Sequence, residues 1–225
     1  MNANIPKQYL KIDGKTILEH TINKFYTLPN VAGILVVVSE TDPYWGTLAS
    51  HLLEQAHTTG IPLSFTIGGS ERSETVLKGL DYLLNTEKLD YSQWVMVHDA
   101  ARPCVRKKDL LQLLAARSNL NSSGAILASP VRDTLKLSDK SHSILGTPSR
   151  EYLWQAQTPQ LFQLGTLCEA LNLAIEDKIV ITDEASAMEH AKKKVHLVEG
   201  SSDNIKLTTS ADLKIIEFLL KESGG

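Results

Sequence analysis

Ala32-Gly33-Ile34-Leu35-Val36-Val37-Val38 is an unbroken, largely β-branched apolar run, the composition of a strand buried on both faces rather than one lying half in water. Such strands occur in parallel sheets covered by helices, so this stretch is expected at a sheet centre. Outward from it, apolar runs alternate with segments of helical period. Helices are expected over Lys15 to Tyr26, Tyr44 to His57, Glu71 to Leu84, Lys108 to Arg117, Gly165 to Glu176, Asp183 to Ala191 and Ala211 to Leu220. Further strands are expected at Pro62 to Ile67, Trp94 to Val97, Gly124 to Ala128 and Val195 to Val198. This alternation marks repeated βαβ units and predicts an α/β fold, a mostly parallel sheet with helices on both faces.

Between Ser129 and Arg150 the pattern changes. Pro130, Gly146 and Pro148 stand among Ser, Thr and short apolar pairs, in a stretch too long for an ordinary connection. A projecting β-arm is expected there. At about 131–150 its short alternating runs suit pairing with the same arm of a second chain, which predicts a two-fold homodimer.

Composition narrows the function classes. With 225 residues, 42% of them hydrophobic, the chain suits one domain over residues 1–225. A net charge of -3 and 6% aromatic content supply neither a polyelectrolyte field nor a stacking platform, so no nucleic-acid partner is expected. No apolar stretch is long enough to span a bilayer and Met1-Asn2-Ala3-Asn4 has no signal-peptide character, so a soluble, cytoplasmic protein with no membrane partner is expected. Cys104 and Cys168 lie outside any C-x-x-C spacing, and the seven histidines show no metal-ligand pairing with carboxylates. No protein-ligated transition metal is indicated.

The chemistry-bearing segments lie at strand and helix ends. Trp94 to Val97 runs into His98-Asp99-Ala100-Ala101-Arg102-Pro103, and in open α/β sheets ligands bind beyond the carboxyl ends of strands, where an arginine fork suits phosphate. Gly68-Gly69-Ser70-Glu71-Arg72 is a strand-to-helix turn with backbone N–H groups available to an anion or a base edge. Alone, Pro6-Lys7-Gln8-Tyr9 is no more than a turn lysine beside a proline, Thr182-Asp183-Glu184 an acidic helix cap, and Asp203-Asn204-Ile205-Lys206 a surface turn entering a strand.

Taken in register, P-K-Q-Y-L from Pro6, G-K-T-I-L-E-H-T from Gly14, G-G-x-E-R from Gly68, V-H-D-A-A-R-P from Val97, P-V-x-D-T-x-K from Pro130, L-W-Q-A-x-T-P-Q from Leu153, T-D-E-A-S from Thr182 and D-N-I-K-x-T from Asp203 span nearly the whole chain. The set resembles the 2-C-methyl-D-erythritol 4-phosphate cytidylyltransferases of the non-mevalonate isoprenoid pathway. That resemblance implies a Rossmann-like nucleotidyltransferase fold, transfer of CMP from CTP to 2-C-methyl-D-erythritol 4-phosphate with release of pyrophosphate, and Mg2+ as cofactor.

It also implies residue roles. Lys7 and Lys206 would be catalytic, holding the α-phosphate region, and Gly69, Ser70, Thr75 and Ala100 would lie at the nucleotide. Asp99 would bind substrate hydroxyls or metal-bound water, with Mg2+ held mainly by the CTP phosphates. Arg102, Thr134, Thr158 and Thr182 would fix the sugar phosphate, and Arg150 on the arm would reach it in the neighbouring subunit. Two departures stand out. The family opens with a strand and an A-A-G-x-G-x-R-M loop before P-K-Q, whereas Pro6 follows only Met1 to Ile5 here; a phosphate-cradling loop is therefore expected upstream of Met1, and activity should depend on it. Ser70 stands where the family often has Asp, a change that a main-chain contact would survive.

The attacking phosphate monoester has a second pKa of about 6, so it is ionised at neutral pH and needs no general base. Repulsion between anions is the obstacle, and positioning with cationic neutralisation is what the protein must supply. Three other readings remain: the ribitol-5-phosphate cytidylyltransferases, which show H-D-A-V-R-P and T-D-A against Ala101 and Thr182-Asp183-Glu184 here; a catalytically inactive binding homologue; and a dinucleotide-dependent oxidoreductase, which lacks its G-x-G-x-x-G. With Gly225 the last residue, no fusion to a second enzyme is expected.

Overall fold

Asp13-Gly14 turns the chain between β1 (Lys11–Ile12) and β2 (Lys15–Thr16), an antiparallel pair, in the computed structural model, which describes residues 5–118 and 122–222. Both turn residues have positive φ, 49° and 79°, as the tight hairpin turn favoured by Asp-Gly requires. The helix expected from Lys15 therefore starts later, as α1 (Ile17–Tyr26). Its boundary is a capping box: Glu19 N–H donates to the Thr16 hydroxyl, and the Glu19 carboxylate accepts from the Thr16 backbone at 2.6 Å. Such a cap contributes about 1 kcal/mol.

The chain continues as β3 (Ile34–Val38), α2 (Trp45–Thr59), β4 (Leu63–Ile67), α3 (Arg72–Asn85), β5 (Trp94–Val97), α4 (Lys107–Ala115) and β6 (Gly124–Pro130). After β7 (Leu137–Ser138) and β8 (Ile144–Gly146) come β9 (Trp154–Gln163), α5 (Leu164–Glu176), α6 (Glu184–His190), β10 (Val195–Glu199) and α7 (Ser210–Glu222). The largest sheet has the order β10-β6-β9-β5. β5, β6 and β10 share one direction and β9 opposes them. β3 and β4 form a separate parallel pair in the register Ile34 to Leu63.

The centre of the sheet is not where the sequence places it. β3 pairs with β4 alone among the described residues, and Ile34 to Val37 are only half-buried. Strands β6 and β9 hold the middle instead, and Ala125, Ile126, Leu127 and Ala128 are all at most 4% exposed. Burial follows from what packs on each face and edge, which a strand's own composition does not encode.

Alternation along β6 feeds two helical layers. Ile126 packs with Leu164, Leu167 and Leu171 of α5 and Met188 of α6, while Ala125 and Leu127 meet Leu110 and Leu113 of α4. Gly124 pairs with Phe162, and a Cβ at Gly124 would come within 2.0 Å of that ring. Only glycine lets the fully buried Phe162 lie there, and truncating it to alanine is expected to cost about 3–5 kcal/mol.

The expected arm is present. β7 and β8 form an antiparallel hairpin in which Leu137, Ile144 and Leu145 are each more than 60% exposed. Tyr152 at its base is 83% exposed, so the arm presents an apolar surface that a monomer leaves in water.

Candidate active site

Strand β5 ends at Val97 and delivers Asp99 to a cavity of about 280 Å³. Its walls include Arg72, Asp99, Arg102, Thr158, Thr182 and Lys206, with Gln160 and Asp183 beside them. They come from the starts of α3 and α6, the turn after β5, the reversed strand β9 and the loop before α7. The cavity thus opens where parallel-strand ends and helix N-termini converge, a geometry suited to anionic ligands.

Asp99 is the hub. Its Oδ1 accepts from Arg72 at 2.5 Å, and its Oδ2 is shared by Arg102 Nε at 3.1 Å and Lys206 Nζ at 3.0 Å. Burial alone would raise its pKa, but the Arg72 guanidinium and the Lys206 ammonium outweigh it and hold the carboxyl well below the usual range. Arg102 also donates to the Asn204 carbonyl at 2.6 Å, joining the turn after β5 to the Lys206 loop. Lys7 sits close enough for Lys206, Asp99 and Arg102 to act on its charge; partial burial, then the Lys206 ammonium, lower its pKa.

Thr158 faces inward rather than offering a free hydroxyl. Its oxygen accepts the Asp99 backbone N–H at 3.0 Å and lies 2.9 Å from His98 Nδ1. Thr182 is exposed at the cavity rim, where its backbone N–H donates to the Ser186 hydroxyl. At the G-G turn, Thr75 Oγ1 accepts from Gly69 N–H at 3.1 Å. The Glu74 carboxylate takes both the Ser70 N–H at 2.8 Å and the Ser70 hydroxyl at 2.9 Å. Backbone donors that the sequence suggests are free are therefore already engaged by α3's own side chains. Ala100 is exposed beside Asp99, whereas Thr134 and Arg150 lie on the arm, exposed and outside the cavity lining.

Two expectations for this region change. Asp203-Asn204-Ile205-Lys206 is neither a plain surface turn nor the entry to a strand. Asn204 is fully buried, its amide donating to the Thr158 carbonyl at 2.8 Å and to Gln157 at 3.3 Å, and the chain runs irregularly into α7. Arg72, in the sequence one residue of the G-G-x-E-R turn motif, is central: besides Asp99 it reaches Glu184, 2% exposed, at 3.1 Å. Gln160, in the sequence only the last residue of the L-W-Q-A-x-T-P-Q motif, accepts from Ala185 N–H and donates to Asp183, fastening α6 to β9. The available signal was the cation at the first residue of α3 and the second acid of Thr182-Asp183-Glu184.

The donor set does not fit a resident divalent cation. Both Asp99 oxygens are taken by cations, and no group of three or more His, Cys, Asp or Glu able to hold a metal ion occurs among the described residues. Magnesium bound to nucleotide phosphates would belong to the substrate.

A strand-end cavity walled by Arg72, Arg102 and Lys206 around one carboxylate, on an α/β scaffold, is suited to a phosphate-bearing ligand, and the family match places the chain among the nucleotidyltransferases. The family model for 2-C-methyl-D-erythritol 4-phosphate cytidylyltransferase matches residues 1–222, and the chain belongs to that family. It is 48% identical to the 2-C-methyl-D-erythritol 4-phosphate cytidylyltransferase of Pseudoalteromonas atlantica over 98% of this chain and 90% of the relative. For that of Vibrio parahaemolyticus the identity is 45%, over 100% of this chain and 92% of the relative. Among solved structures, a 4-diphosphocytidyl-2C-methyl-D-erythritol synthase superposes with a TM-score of 0.82 at 38% identity, covering 96% of this chain and 95% of that one. The cytidylyltransferase of Francisella tularensis gives 0.79 at 34% identity, over 96% and 94%.

Proposed function

We propose that this protein transfers the cytidylyl group of CTP to 2-C-methyl-D-erythritol 4-phosphate, giving 4-diphosphocytidyl-2-C-methyl-D-erythritol and pyrophosphate. The observation that carries the reading is the cation cluster around Asp99, in a chain matched by the family model along residues 1–222. Lys7 and Lys206 neutralise charge at the α-phosphate as the ionised substrate phosphate attacks and pyrophosphate leaves. No side chain need remove a proton. Asp99 sets the spacing of the surrounding cations and accepts from a substrate hydroxyl. Arg102, Thr134, Thr158 and Thr182 serve the sugar phosphate, Thr158 mainly by shaping the wall through Asp99. Gly69, Ser70, Thr75 and Ala100 serve the nucleotide, which brings Mg2+ on its phosphates.

The apolar hairpin of β7 and β8 supports a homodimer in which Arg150 acts in the partner's cavity. A cytoplasmic location is consistent with two free, buried cysteines, Cys104 and Cys168. No helix among the described residues is long and apolar enough to cross a membrane.

The test is pyrophosphate release from CTP with 2-C-methyl-D-erythritol 4-phosphate, run beside ribitol 5-phosphate and beside ATP, GTP and UTP. Turnover confined to CTP and the methylerythritol phosphate is expected. Preference for ribitol 5-phosphate would move the assignment to the sister cytidylyltransferases, and binding without turnover would make the protein an inactive homologue.

A further inference from the structure

Arg72 is the first residue of α3, where a helix dipole disfavours a cation. Glu184, the first residue of α6, is a nearly fully buried carboxylate, which is costly unless paired. Each placement is locally unfavourable, and together they make one bridge. The two arms of the Arg72 guanidinium separate, Nη1 to Asp99 at 2.5 Å and Nη2 to Glu184 at 3.1 Å. On the far side of Asp99 stands Lys206 Nζ at 3.0 Å. The order is therefore Glu184, Arg72, Asp99, Lys206, alternating in charge from a buried helix start to the cavity wall. Violations of local preference that compensate one another tend to mark functional sites.

We infer that Arg72 is a positioning residue: braced on Glu184, it fixes the Asp99 carboxylate so that Lys206 is held where the reacting phosphate must pass. The inference rests on the cytidylyl-transfer reading given above and deepens it. Arg72 acts through Asp99 and Lys206 rather than as a general source of positive charge. Removing the guanidinium also strands Glu184, which burial already pushes toward the neutral form. When Glu184 takes up a proton, the net charge of the cluster stays the same while its geometry is lost. Phosphate binding is thus expected to survive a change that damages turnover.

The charged and titratable groups facing Asp99 are Arg72 from α3, Arg102 and His98 from its own turn, Lys206 from the loop before α7, and Lys7 from the N-terminal turn. Among them Arg72 contributes most to keeping Asp99 ionised. That gives a readout independent of catalysis.

The experiment compares the wild-type protein with Arg72→Met, Arg72→Lys, Lys206→Ala and the Arg72→Met/Lys206→Ala double variant. For each, kcat and the KM values for CTP and 2-C-methyl-D-erythritol 4-phosphate are measured. The Asp99 side-chain carboxyl is followed through an acid titration by 13C NMR, assigned by its loss in Asp99→Asn. Arg72→Met is expected to lower kcat by about 10–100-fold with KM changed less than about threefold, as misplacement of a transition-state group does. Asp99 should titrate at least about one pH unit higher. In the Lys206→Ala background the Arg72→Met loss should largely vanish, because the two residues act in one chain. Arg72→Lys, which keeps the charge without two separated arms, should recover less than half of the activity.

Full activity in Arg72→Lys would overturn the bridge, as would an equal fractional loss with and without Lys206, or an unmoved Asp99 titration. If the wild-type protein failed to release pyrophosphate while Asp99 still shifted as stated, the function would be wrong and the electrostatic bridge right. A kcat loss with Asp99 unmoved would instead reject the bridge and leave the function standing.

Discussion

His98 Nδ1 and the Thr158 hydroxyl meet at 2.9 Å, and the direction of that hydrogen bond is fixed by the other side of the ring. His98 Nε2 lies 3.0 Å from the Arg102 carbonyl, which can only accept, so Nε2 carries the proton and the bare Nδ1 takes the Thr158 O–H. Thr158 in turn receives the Asp99 N–H. A neutral imidazole thus ties β9 to the turn that presents Asp99, and burial pushes the His98 pKa down to about 4.

A pH dependence of stability follows. Between about pH 4 and the ordinary value near 6.5, an unfolded chain binds a proton at His98 that the native chain does not. Stability from this group is full above 6.5 and is lost as pH falls toward 4, by about 3 kcal/mol at most. The raised pKa of Glu184 works the other way, because protonation spares the native state a buried charge. Urea unfolding at several pH values should show a smaller acid loss between pH 6.5 and 4 in His98→Gln than in wild type. Parallel curves would remove His98 as the cause.

Lys7→Ala and Lys206→Ala are expected to lower kcat by about 100-fold while raising the KM for CTP only a few-fold, since their charges matter most as negative charge moves in the transition state. Steady-state pyrophosphate release separates the two parameters. A silent Lys7→Ala in a folded protein would leave that residue as an ordinary turn lysine.

Arg102→Ala should cost stability as well as sugar-phosphate affinity. The Asn204 carbonyl, on a fully buried residue, loses its 2.6 Å donor, an unmade hydrogen bond worth about 1–3 kcal/mol. Thermal unfolding should fall by several degrees and the KM for 2-C-methyl-D-erythritol 4-phosphate should rise. An unchanged melting temperature would show that the Arg102 tie to the Lys206 loop carries no weight.

The proposed shared-site dimer makes a mixing prediction. A dimer of one Lys7→Ala chain and one Arg150→Ala chain has one doubly impaired site and one intact site, so random subunit exchange should return roughly a quarter of wild-type activity. Recovery no greater than the two parents together would place Arg150 in its own chain's cavity. Leu145→Asp, on a residue 63% exposed, should shift the mass in solution toward a monomer.

The sequence made the element order legible because helical period and apolar runs are local. Asp99, Arg102 and Lys206 stand in short motifs visible in the sequence, and the fold brings their side chains together at one cavity. What escaped was set by distant partners. β3 has the composition of a central strand, yet lies half-buried beside β4; β9 runs against its neighbours without any local sign of direction. Arg72 and Glu184 are separated by 112 residues, so their bridge exists only once two helix starts converge. The Asp13-Gly14 hairpin is local: Asp-Gly is itself a turn signal, and it stands directly before the apolar pattern that becomes α1.

The carboxylate of Glu74 closes the Ser70 turn from within. A ligand edge that seeks the Ser70 N–H therefore enters by exchange, evicting an internal stand-in instead of filling an empty socket. Its apparent affinity is the difference between two occupancies, and on departure Glu74 resets the turn without leaving a bare donor. Shortening Glu74 would then strengthen the hold on such a ligand and slow its exit.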